Sequence, residues 1–129
     1  MRGIHTHLHE TRDELKQSEA EFGVRPIQRL AGLGLLGPGF LAAHGVHLLP
    51  GEIELLAEYG CHIAHCPSSN LKLGSGIAPV SALLKNSVNV GLGTDGAASN
   101  NRLDMFAEMR LAALLAKGAS EDPTSLPAH

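Results

Sequence analysis

The chain has 129 residues, a length that suits one small domain, and a formal net charge of −3. Hydrophobic residues make up 43% and aromatics only 3%, with no Trp, so any buried core is aliphatic and little is available to stack on nucleic-acid bases. No basic patch suggests a phosphate-backbone binder, no apolar run approaches the roughly 20 residues of a membrane span, and the first residues do not read as a basic-then-apolar secretion signal. Two cysteines, Cys61 and Cys66, are too few for a disulfide framework and are not spaced Cys-x-x-Cys, which points to a reducing cytoplasm. Eight histidines is a high count and the first hint of chemistry.

In chain order, an extended stretch over Gly3 to Leu8 leads into a polar helix, "ETRDELKQSEAEF", that opens with Thr11 and acids and stops at Gly23. "RPIQRLAGLGLLGPG" predicts a short helix and glycine-rich turns. "FLAAHGVHL" is an apolar run of strand length ended by Pro50, and "GEIELLAEYG" an amphipathic helix capped by Gly60. "CHIAHCP" reads as a strand closed by Pro67, "SSNLKLGSG" as loop, "APVSALLKNS" as helix and "VNVGLGTDG" as strand. "LDMFAEMRLAALLAKG" is the clearest helix, ending at Gly118, and "ASEDPTSLPAH" is a polar tail. Four strand-helix units in succession predict a parallel sheet covered by helices. Such sheets hold ligands at the carboxyl ends of their strands.

Those ends carry a pattern. The first predicted strand ends in His7, with His9 and Glu10 just beyond; the second ends near His44, the third near His65 and the fourth in Asp95. A single buried histidine usually serves as a hydrogen-bonded core residue. Four such groups delivered at the same end of successive strands point instead to one site. Imidazoles with a carboxylate form a mixed N/O set suited to Zn²⁺ or Fe²⁺. Such a cation lowers the pKa of a water to about 7. Glu10, three residues past His7, is placed to carry a proton to a leaving group.

"HTHLHET", "AAHGVHL", "HCPSSNLKLGSG" and "GLGTDGAASNN" resemble successive motifs of the amidohydrolase superfamily, in the 5-methylthioadenosine/S-adenosylhomocysteine deaminase branch near the chlorohydrolases and guanine deaminases. The resemblance implies an α/β fold, a partial TIM (β/α)8 barrel comprising strands five to eight, with one divalent metal, zinc or else iron, in its mouth. By the same resemblance His7 is the strand-five metal ligand and Glu10 the proton-shuttling, substrate-contacting glutamate. His44 is the strand-six histidine, a metal ligand or a contact of the attacking water, with the water and transition-state role favoured. Asp95 is the strand-eight ligand that accepts the water's proton, His65 and Asn70 line the substrate pocket, and Ser99 and Asn100 line the same mouth. His5-Thr6-His7 imitates the His-x-His pair of strand one, but that pair is not normally followed by x-His-Glu-Thr and a charged helix. His5 is then a deeper barrel-lining residue, His9 a mouth residue, His47 and His62 packing residues, and His129 simply the last residue.

The implied function is metal-dependent hydrolytic deamination of an adenine nucleoside: 5'-methylthioadenosine, S-adenosylhomocysteine or adenosine. The alternatives are C–N or C–Cl hydrolysis in a guanine, cytosine or triazine, and a non-catalytic, truncated half-barrel that only binds a partner. The His-x-Glu with Pro-Cys-x-x-Cys signature of cytidine deaminases is not found. Residues 1–129 are expected to form a single incomplete barrel domain, its second half. Expected partners are the purine nucleoside and either the missing N-terminal half-barrel or a second copy, with no nucleic acid and no membrane. Two unpaired sheet edges lead to the further expectation that the chain alone dimerises, aggregates or stays partly molten, and turns over no substrate.

Overall fold

The computed structural model describes residues 3–127; His129 lies outside them. Strands β1 (Ile4–Leu8), β2 (Phe40–His44), β3 (His62–His65) and β4 (Asn89–Leu92) form one sheet in the order β1-β2-β3-β4. Every neighbouring pair is parallel. Between β1 and β2 run helices α1 (Arg12–Phe22) and α2 (Pro26–Gly32), and α3 (Pro50–Glu58) joins β2 to β3. Helices α4 (Pro67–Lys72) and α5 (Val80–Lys85) lead into β4, which is followed by α6 (Ala97–Asn100) and α7 (Met105–Ser120).

The alternation of side chains along each strand gives the sheet two unlike faces. Thr6, Ala42, Ile63 and Val90 lie in register on one face, where Leu8, Ile27, Phe40, Ile53, Leu56, Ile63, Leu83 and Val88 build an aliphatic core against the helices. The other face carries two rows, His5–Leu41–His62–Asn89 and, one step nearer the carboxyl ends, His7–Ala43–Ala64–Gly91. Small residues across that second row leave open space beside His7, which is exposed. β1 and β4 are the two edges of the sheet. Among the described residues no helix is long and apolar enough to cross a membrane.

Several boundaries differ from expectation for identifiable reasons. β1 runs through Leu8, because Leu8 is 1% exposed and belongs to the core. Pro50 and Pro67 do not end strands. Each is the first residue of a helix, where a missing N–H costs nothing. The stretch expected as loop after Pro67 is therefore helical as far as Lys72. Gly118 does not end α7, which continues to Ser120 and closes on Glu121 in the left-handed region at φ 53°. β4 stops at Leu92, three residues short of Asp95.

Candidate metal centre

The carboxyl-end rim gathers His7, His44 and Asp95, whose nearest donor atoms all lie within 4.8 Å of one another. His7 comes from the open face of β1. His44 reaches the rim by a backbone turn. It is in register with Leu8, which faces the core, yet it adopts φ 77° before Gly45. Asp95 likewise sits at φ 59° before Gly96. Non-glycine residues in the left-handed region carry strain of order 1–3 kcal/mol, and such strain collects at functional sites. The His7 and His44 rings meet edge-on with centroids 5.0 Å apart.

His44 is fully buried, and its two nitrogens differ. Nδ1 donates to Asn70 Oδ1 at 2.8 Å, while Nε2 has no hydrogen-bond partner among the described residues. Nε2 lies 3.7 Å from Glu10 Oε2 and 3.9 Å from Asp95 Oδ2. An acceptor left open in a buried position costs about 1–3 kcal/mol, so this atom, one of four such buried atoms among the described residues, calls for an account. Asp95 is held in place by three donors: Ser69 Oγ at 2.6 Å and Ser99 Oγ at 3.0 Å on Oδ2, and Gly96 N at 2.8 Å on Oδ1. The Ser69 hydrogen bond, with Gly96, Ser99 and nearby His44, keeps its carboxyl below the usual carboxylate range against the opposing effect of burial.

Glu10 is aimed by a residue that sequence reasoning passed over. Glu14 accepts from the backbone N–H of His9 and of Glu10, each at 2.8 Å, one on each oxygen. The signal was present as Thr11-x-x-Glu14, a capping-box spacing. Thr11 does cap Glu14 N at 3.2 Å, but Glu14 reaches past Thr11 to fix the loop itself. Ser69, next to Asn70 in the same motif, was also missed.

Of the other predicted site residues, Ser99 stays at the rim beside Asp95, whereas Asn100, His65 and His9 do not. Ser99 spends its hydroxyl on Asp95 Oδ2 and Gly96 O. Asn100 is turned away, bridging Thr94 O and Glu108 Oε1 at 2.7 Å each. His65 shares the register face of Ile63 and lines a cavity of about 570 Å³ on the helix side with Val80, Leu92 and Met109. Burial lowers its pKa to about 4, so the ring is neutral at pH 7. His9 is not at the mouth: its ring is buried, donating from Nδ1 to His47 O at 3.1 Å and accepting on Nε2 from Ile27 N at 3.2 Å. Burial pushes the thiol of Cys66 up to about 11, which leaves it protonated.

A strained rim of imidazole and carboxylate on a parallel sheet is the arrangement of barrel metallohydrolases, and comparison with known proteins places the chain among them. It belongs to the amidohydrolase family, whose model matches residues 2–128. A 5-methylthioadenosine/S-adenosylhomocysteine deaminase of Moorella thermoacetica is 57% identical over 127 residues, covering 98% of this chain and 30% of that protein. An adenosine deaminase from Xanthomonas campestris, solved with bound zinc, matches with a TM-score of 0.96 at 51% identity, over 98% of this chain and 29% of that one. An atrazine chlorohydrolase from Arthrobacter aurescens, complexed with zinc, matches with a TM-score of 0.88 at 32% identity, over 93% of this chain and 26% of that one. The chain thus spans about 30% of the length of the curated relatives it matches and forms part of a (β/α)8 barrel.

Proposed function

We propose that this chain is strands five to eight of a zinc-dependent hydrolytic deaminase acting on adenine nucleosides, active once strands one to four complete the barrel. The observation that carries the reading is the buried, unpartnered Nε2 of His44, set beside Glu10 and Asp95 on a rim shared with His7. Two imidazoles and one carboxylate are a donor set that zinc takes readily. His7 and Asp95 would hold the cation, and His44 stands beside them as a third donor. When bound, the cation supplies Lewis-acid activation of a water at neutral pH.

The rest is done by side chains. Because His44 donates from Nδ1 to Asn70, the neutral ring can only accept at Nε2. It would therefore serve the cation and the attacking water as an acceptor. Asp95 takes a proton from the water. Glu10 delivers one to the purine ring nitrogen next to the carbon under attack. Water adds at that carbon; the proton held by Asp95 passes to the amino group, which leaves as ammonia, the added hydroxyl returns a proton to Glu10, and a 6-oxopurine nucleoside remains. The 57% identity to a 5-methylthioadenosine/S-adenosylhomocysteine deaminase, against 32% to a chlorohydrolase, supports an adenine nucleoside over a triazine.

The test supplies the N-terminal half-barrel of a related deaminase in trans. The mixture should contain zinc and deaminate 5'-methylthioadenosine, S-adenosylhomocysteine or adenosine, whereas the chain alone should show no turnover. A complex that forms, binds no zinc and releases no ammonia would favour the partner-binding, non-catalytic reading.

A further inference from the structure

We infer that α4 is the positioning element of this site: Asn70 sets the tautomer of His44, and Ser69 the orientation of the Asp95 carboxylate. The inference rests on the proposed metal site and names the residues that prepare it. Two adjacent residues on one turn address two separate strands' rim groups, Asn70 Oδ1 to His44 at 2.8 Å and Ser69 Oγ to Asp95 at 2.6 Å. Both side chains are essentially inaccessible to water, at 1% and 0% exposure. A buried polar group needs a partner; the Ser69 hydroxyl and the Asn70 Oδ1 find theirs in the site, while Asn70 Nδ2 has none among the described residues.

The turn itself is fixed from outside. Ser68 N donates to Glu108 Oε2 on α7 at 3.2 Å. The other oxygen of Glu108 accepts from Asn100, which also holds Thr94 O, so one buried carboxylate clasps both α4 and the loop bearing Asp95. At its far end Lys72 donates to Ala98 O at 2.7 Å and Asn101 Oδ1 at 2.6 Å on the same loop. The α4 turn and the Asp95 loop therefore behave as one block. The hydrogen bond made by one imidazole nitrogen decides the state of the other. With Nδ1–H committed to Asn70, Nε2 keeps its lone pair free before any cation arrives.

The experiment ¹⁵N-labels this chain, completes the barrel with the unlabelled N-terminal half-barrel of a related deaminase, reads the imidazole spectra without metal and then titrates the complex with Zn²⁺. In the neutral form of the wild-type His44 ring the proton should sit on Nδ1, leaving Nε2 bare. Asn70→Ala should give a mixture of tautomers and a zinc affinity weaker by about 10–100-fold, the usual cost of removing such a supporting group. Asn70→Asp, which keeps the acceptor, should restore the wild-type tautomer, a rescue that a merely structural role for Asn70 would not give. Ser69→Ala should weaken zinc by a smaller factor, roughly tenfold, because Ser99 remains on Asp95. Wild-type spectra and zinc affinity in Asn70→Ala would overturn the inference. If Asn70→Ala does not fold, loss of the Nδ1–H signature in Asn70→Asp overturns it equally. Failure of the wild-type complex to take zinc would count against the metal site alone, since the tautomer is read without metal.

Discussion

Two clusters of imidazole and carboxylate branch from the same short stretch of chain, and they are opposite in character. His9 enters a closed cluster: its Nδ1 serves His47 O and its Nε2 accepts from Ile27, while Glu52 holds Arg25 at two points and accepts from Leu49 N at 2.7 Å. Burial lowers the pKa of His9, and the Glu52 hydrogen bond raises that of Arg25. His7, two residues earlier, enters an open cluster in which His44 Nε2 has no partner. The closed cluster ties α2 and α3 to the first loop. The open one costs stability at a buried acceptor and keeps it available. Polar groups that serve the fold close upon each other, whereas those that serve chemistry leave a valence unfilled.

The comparison breaks or sharpens by mutation. The largest effect belongs to the open cluster. Glu10→Gln should reduce turnover of the completed enzyme by about 10²–10⁴-fold, the usual worth of a positioned proton carrier. Zinc content and urea stability should not change. A loss of stability in place of turnover would move Glu10 to the structural side. In the closed cluster, Glu52→Ala leaves the Arg25 guanidinium without its carboxylate and Leu49 N without its acceptor, and should cost about 3 kcal/mol by urea denaturation. That figure is the lower end for a broken buried pair, because the Arg25 side chain keeps 17% exposure. The zinc affinity of the folded fraction should stay as in wild type. Loss of zinc binding without loss of stability would show that the two clusters are one.

Much of this arrangement was legible in the sequence, and what was not has physical causes. The order of strands, the parallel sheet and the rim positions of His7, His44 and Asp95 follow from apolar runs that stop at chemically capable residues. Left-handed backbone at His44 and Asp95 was not legible, since neither residue type demands it, although a glycine follows each. The direction of His65 was missed because position at a strand end was read without alternation: it lies two residues from Ile63 and so faces the helices. α4 was read as loop because Ser68, Ser69 and Asn70 look solvent-facing, yet the last two are buried with partners on distant strands and loops. Local pattern carries little information about polar groups whose partners lie 26 residues away.

His65 puts the comparison to its hardest test, because its Nδ1 is also buried without a partner among the described residues and yet lies outside the open cluster. Its surroundings disfavour charge: burial dominates, nearby His44 acts in the same direction, and Glu108 opposes both, leaving a pKa of about 4 against an ordinary 6.5. Below pH 6.5 the unfolded chain takes up a proton that the folded chain refuses. Stability therefore falls as pH drops from 6.5 toward 4 and levels off beyond it. By linkage the loss attributable to this one group is about 2 kcal/mol between pH 7.5 and pH 5. Denaturation of wild type and His65→Leu at both pH values isolates it, because His9 and the carboxylates contribute equally to each. A difference of that size makes His65 a neutral element of the helix-side packing, so an unfilled valence marks a reactive site only where strained backbone brings other donors to it. Identical pH dependence in the two proteins would mean that His65 takes up its proton as readily in the fold as in the unfolded chain, and would remove it from the neutral packing.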